Sequence, residues 1–164
     1  MDMAVSGYTR TSRYRNVAAC FLNLCDRLVC GLAWYVGVIV MLFEAYHSFR
    51  QIPTDGRALP TAPEPAWFGY SVGRWEGDTL VVDTIGNHEK TWLDDSGHPH
   101  SDALHIIERM RRRTFGRMDV QITIDDPKAY VKPWTVSFNW ELMPDTELLD
   151  WVCENNKYFD VIPK

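Results

Sequence analysis

Apolar and polar residues alternate along most of the second half of this chain. From Arg117 to Asp125 the even positions are Met118, Val120, Ile122 and Ile124, with Arg117, Asp119, Gln121, Thr123 and Asp125 between them. From Trp134 the even positions are Trp134, Val136, Phe138, Trp140 and Leu142, set against Thr135, Ser137, Asn139 and Glu141. A period of two puts one face of each strand in a core and the other in water, the pattern of an antiparallel sheet. Extending it predicts about eight strands, roughly 37–43, 45–52, 67–75, 79–86, 103–112, 117–125, 134–142 and 147–153. Trp75-Glu76-Gly77-Asp78 and Thr114-Phe115-Gly116 read as tight hairpins. Pro53–Pro65, Asn87–Ser101 and the stretch from Asp126-Pro127 to Lys132-Pro133 read as loops. Sequential hairpins without helices predict an all-β fold, an antiparallel meander closing into a small lipocalin-like barrel. Residues 1–36 form an irregular or helical N-terminal lead, and 37–164 form the barrel domain.

At 164 residues the chain is one domain with enough material for a core. Its hydrophobic content of 46% and charged content of 24% are those of a globular protein. A formal charge of -5, thinly spread, excludes nucleic acid as the expected partner. The dense basic run Arg109, Arg111, Arg112 and Arg113 reads as a solvated strand end. Arg10, Arg13 and Arg15 precede an apolar stretch that is uncharged from Leu28 to Phe43, which looks like a signal or anchor. That run falls short of the roughly 18 residues of a spanning helix, no cleavage site follows it, and Val38–Phe43 suits a buried strand. Membrane association is therefore not expected. Cys20, Cys25, Cys30 and Cys153 offer neither a zinc spacing with histidines nearby nor a redox pair, so no structural metal on sulfur is expected.

Parity also finds polar residues that face inward. Glu108 shares a face with Leu104, Ile106 and Met110, and His47 shares one with Ile39, Met41, Phe43, Ala45 and Phe49. A carboxylate and an imidazole in one aromatic-lined cavity could exchange protons. Alternatively Glu108 pairs with Arg50 or Arg109 as a structural bridge, and His47 satisfies a carbonyl. His98, His100 and His105 have an H-x-H-x4-H spacing that could face a metal, although such histidines are more often polar loop residues. Asp102 could equally order His100 or His105 without metal. Glycine-rich phosphate loops and hydrolase motifs are absent, so no organic cofactor is expected.

The run Ser71-Val72-Gly73-Arg74-Trp75-Glu76-Gly77-Asp78-Thr79-Leu80-Val81-Val82-Asp83-Thr84 resembles a motif of a large family of mostly exported bacterial β-barrel proteins without an assigned activity. So do Lys90–Asp94, Pro99–His105 through Glu108-Arg109, and Thr123–Tyr130, in the same order. The resemblance covers about residues 37–155 and implies a barrel and an exported ancestor. Residues 1–36 depart from the family's usual signal peptide and Trp-rich lead. Seven Trp, seven Tyr and seven Phe suit a core or a pocket for flat, greasy ligands. The expected function is binding of a small hydrophobic or aromatic molecule inside the barrel, with Tyr70, Arg109, Trp134, Phe138 and Trp140 around it. The alternative is a cofactor-independent lyase, isomerase or hydratase using His47, Glu108 and His105 as acid/base residues.

Overall fold

The computed structural model of the chain describes residues 30–35, 37–43, 48–94 and 96–148. They fold as eight antiparallel strands, with no helix among the described residues. The strands are β1 (Cys30–Tyr35), β2 (Val38–Phe43), β3 (Ser48–Pro53), β4 (Tyr70–Glu76), β5 (Thr79–Ile85), β6 (His105–Thr114), β7 (Arg117–Asp125) and β8 (Trp134–Glu141). The all-β expectation and the three long loops hold. The ladders divide the strands into a three-stranded sheet, β1-β2-β3, and a five-stranded sheet, β4-β5-β6-β7-β8. Among the described residues no ladder joins the two.

Alternation decides the inner face. On β7, Met118, Val120, Ile122 and Ile124 are all buried, as their spacing demands. On β6 the buried set is Ile106, Glu108 and Met110, and on β2 it is Ile39, Met41 and Phe43. These residues join Ile52, Leu80, Val82, Leu93 and Leu104 in one core between the sheets. Side chains of this kind each gain about 1.5–3 kcal/mol on full burial, so the facing sheets carry most of the fold's stability.

Two glycines set the geometry. Gly77 takes φ 63° between β4 and β5, where Glu76 and Thr79 pair and leave only two residues to reverse the chain. Gly73 lies where the sheets approach each other: a Cβ there would meet Ile52 Cγ2 at 2.9 Å and Thr54 Cγ2 at 3.0 Å. The missing side chain lets β3 lie close on β4.

Three expectations change. The lead was expected to be irregular or helical, but its described end, Cys30–Tyr35, is a strand paired with β2. Gly37, at φ 78°, lets the uncharged run double back on itself into one ladder. Parity on β3 is also inverted: Arg50 and Ile52 are buried, while Phe49 is 56% exposed. Residues 44–47 join Phe43 to Ser48, and that even spacing pairs Met41 with Arg50 and Ile39 with Ile52. Odd positions therefore face inward on β2 and even positions on β3. Finally, the sequence reads Trp75 and Trp92 as plugs of the barrel ends, and both are exposed. The expected strand 147–153 lies mostly outside the described residues.

Candidate functional site

The register of the large sheet brings its inward polar residues together. Across the sheet, one row runs Gly73, Val82, Glu108, Ile122, Val136, and the next runs Ser71, Thr84, Ile106, Ile124, Trp134. Ser71, Thr84 and Glu108 therefore share one corner of the inner face, on β4, β5 and β6. Arg50 reaches into that corner from the other sheet.

Its guanidinium donates from Nε to Ser71 Oγ at 2.8 Å, and from Nη2 to Thr84 Oγ1 and to Glu108 Oε2 at 2.6 Å. Ser71 Oγ and Thr84 Oγ1 lie 3.0 Å apart. Arg50 is 3% exposed and Glu108 not at all. Burial pushes the Glu108 carboxyl above its ordinary range, and Arg50 opposes that shift by charge and hydrogen bonding. The four side chains tie the sheets together through a charge pair that the surrounding apolar core does not solvate.

The remainder of the inner face is apolar and ends in aromatics. Trp134, Phe138 and Trp140 sit on the core side of β8, packed against the core yet only half-buried. Phe138 and Trp140 meet edge to face at 5.9 Å, and Tyr130 meets Trp134 likewise at 5.7 Å. On the cluster's far edge Tyr130 Oη donates to Pro99 O. The site thus has a charged corner bridged by Arg50 of β3 and a half-buried aromatic margin on β8.

The expected residues divide between the faces of the sheet. Glu108, Trp134, Phe138 and Trp140 lie on the inner face. His105, Arg109 and Tyr70 lie on the outer one, because their parity on β6 and β4 is opposite to that of Glu108 and Ser71. His105 Nε2 sits 3.0 Å from Asp83 Oδ1, and Arg109 donates to Glu76 Oε2 at 2.6 Å. Neither can share an interior site with Glu108, and Tyr70 is no interior wall. His47 lies outside the described residues. Within the basic run on β6, Arg111 pairs with Asp78 and Arg113 with Asp119, while Arg112 donates to the carbonyls of Thr114 and Phe115. Arg74 bridges Asp83 and Glu76 in the same layer.

The histidines of the H-x-H-x4-H stretch go to separate partners. His98 Nδ1 lies 2.7 Å from Asp94 Oδ2, and His100 contacts Thr91 Oγ1 and Ser101 O. Among the described residues no group of three metal-ligating side chains forms. Asp102 orders neither histidine and instead pairs with Lys128 at 2.6 Å. Asp126, buried, accepts from Ser101 N and Oγ and from the N–H groups of Lys128 and Ala129. Burial would raise its carboxyl, but those hydrogen bonds together hold it below its ordinary value. It clamps the loop before β6 to the turn after β7.

Sequence reasoning placed Arg50 only as one possible partner of Glu108 and missed Ser71 and Thr84. The available signal was small: both are hydroxyl residues at the inward-facing positions of β4 and β5. No helix among the described residues is long and apolar enough to cross a membrane. Comparison with known proteins returns no matching family model, curated protein or solved structure.

Proposed function

We propose that the protein binds a small hydrophobic or aromatic molecule between its two sheets, along the aromatic margin of β8. The half-buried row Trp134, Phe138 and Trp140 carries this reading, because it packs against the core and yet stays partly exposed among the described residues. Large flat side chains so placed offer stacking and apolar area to a ligand at little entropic cost. The two sheets then act as the halves of a small barrel around that molecule, as eight strands allow. The neighbouring motif resemblance points to the same barrel. Among the described residues no imidazole faces Glu108, and the binding reading needs none.

A thermal-shift screen against aromatic and terpenoid compounds tests the proposal. A ligand at about 100 times its dissociation constant adds roughly 2.7 kcal/mol of stability, seen as a rise in Tm of several degrees. Phe138→Ala should abolish the rise. A broad panel without a shift, or a shift that Phe138→Ala leaves intact, contradicts it.

A further inference from the structure

Two neighbouring aromatic residues ahead of β4 are held differently. Phe68 stacks face to face on Phe43 at 5.6 Å, which ties it to the core. Trp67 instead lies against the His88 imidazole, with 5.0 Å between ring centroids and 13° between planes. One face of the indole is covered in this way, and the residue is still 64% exposed. The backbone beneath it is fixed. Ala66 and Asn87 form a bridge, in which Ala66 N–H donates to Gly86 O and Ala66 O accepts from His88 N and Gly69 N. The His88 ring is held as well: Nδ1 accepts from the N–H of Lys90, which leaves the ring's proton on Nε2. His88 O accepts from Thr91 N and Oγ1, so the chain turns there. Trp92, 63% exposed, follows that turn with its Cα at most about 14 Å from that of His88.

A lone exposed aromatic residue is ordinary on a protein surface, but here the backbone and the backing ring are both fixed, which presents a rigid plane to solvent. From this arrangement we infer that Trp67 is a stacking surface for the sugar rings of an uncharged oligosaccharide, a site separate from the margin of β8. A pyranose ring offers a flat patch of C–H groups to the indole and carries a rim of hydroxyls around it. Exposed Glu64, Glu89 and Lys90, each within three residues of Trp67 or His88 in the chain, supply acceptors and a donor for that rim. A compound that is apolar throughout gains less here, because an open plane covers only one of its sides. Anionic lipid headgroups are disfavoured by the two carboxylates and by the chain's net charge of -5. Trp92, just beyond the same turn, extends the surface past the reach of a single sugar.

Titration of the full chain, labelled at tryptophan, with cellohexaose, xylohexaose, maltohexaose and glucose tests this. At least one hexasaccharide should bind and shift the indole N–H resonance of Trp67, and glucose should bind at least about tenfold more weakly. Trp67→Ala should weaken the hexasaccharide about tenfold, the weight of one well-formed stacking contact. Trp67→Phe keeps a flat ring and should retain most of the affinity. Phe138→Ala should leave sugar binding intact, which separates this site from the margin of β8. Binding of none of the hexasaccharides overturns the inference, as does binding that Trp67→Ala leaves unchanged or that Phe138→Ala abolishes. Should Trp67→Ala fail to fold, the wild-type spectrum decides: a Trp67 signal that stays in place while a hexasaccharide binds overturns it. Sedimentation with phosphatidylglycerol vesicles that depends on Trp67, with no sugar bound, overturns it in favour of a membrane surface.

Discussion

Glu108 is the residue on which most of the fold's electrostatics turns. Removing Arg50 alone strands a buried carboxylate, so Arg50→Met should cost about 3–5 kcal/mol. Adding Glu108→Met to it should recover most of that loss, since an apolar pair of similar volume suits the same core. Urea unfolding of the two single variants and the double variant checks this, and strict additivity would mean that the pair does not act as one unit. The pH dependence follows from the same group. The Glu108 carboxyl lies above its ordinary 4.5 because burial outweighs Arg50. The folded state then holds more proton than the unfolded one in that window. Stability from this group is greatest below 4.5 and is lost as pH rises through the raised value. Asp126 has the opposite sign: held below its ordinary 3.8, it contributes above that value and is lost as pH falls through the lowered one. Unfolding measured against pH should show both limbs, and Glu108→Gln should flatten only the alkaline one. Arg50 was hard to see in the sequence because a charged side chain normally marks the wet face. Only the even number of residues between Phe43 and Ser48, which moves the inward positions from odd to even, betrays it.

At the scale of elements, hairpin geometry explains both what could be read and what could not. β7 alternates without error, and its four inward residues were legible because every one is large and apolar. The β4–β5 and β6–β7 hairpins were equally plain from Gly77 and from Phe115-Gly116. Around residues 44–47, alternation alone could not say where one face ended and the other began, and Phe49 was placed inward as a result. Gly73 and Gly77 separate two reasons for keeping glycine. Gly73→Ala must push Ile52 and Thr54 away, opening the sheets beside Arg50, and should cost about 1–3 kcal/mol. Gly77→Ala meets nothing within 4 Å and pays only for its positive φ, about 1–2 kcal/mol. The two are told apart by ligand affinity: Gly73→Ala should weaken binding, and Gly77→Ala should not.

For the whole molecule, the two faces of the large sheet have separate tasks. The outer face carries ion pairs among exposed side chains, which add solubility and little stability. The inner face carries the core, the charged corner and the aromatic margin. Its division followed from strand register, which no composition could supply, although each residue was visible in the chain. The central claim is that the margin of β8 contacts the ligand, and the indole N–H signals of selectively labelled tryptophan report on it directly. With a saturating aromatic ligand from the thermal-shift screen, the resonances of Trp134 and Trp140 should shift while those of Trp67 and Trp92, exposed on the loops, stay in place. Movement of Trp67 or Trp92 alone, with Trp134 and Trp140 unmoved, would place the ligand elsewhere and contradict the account.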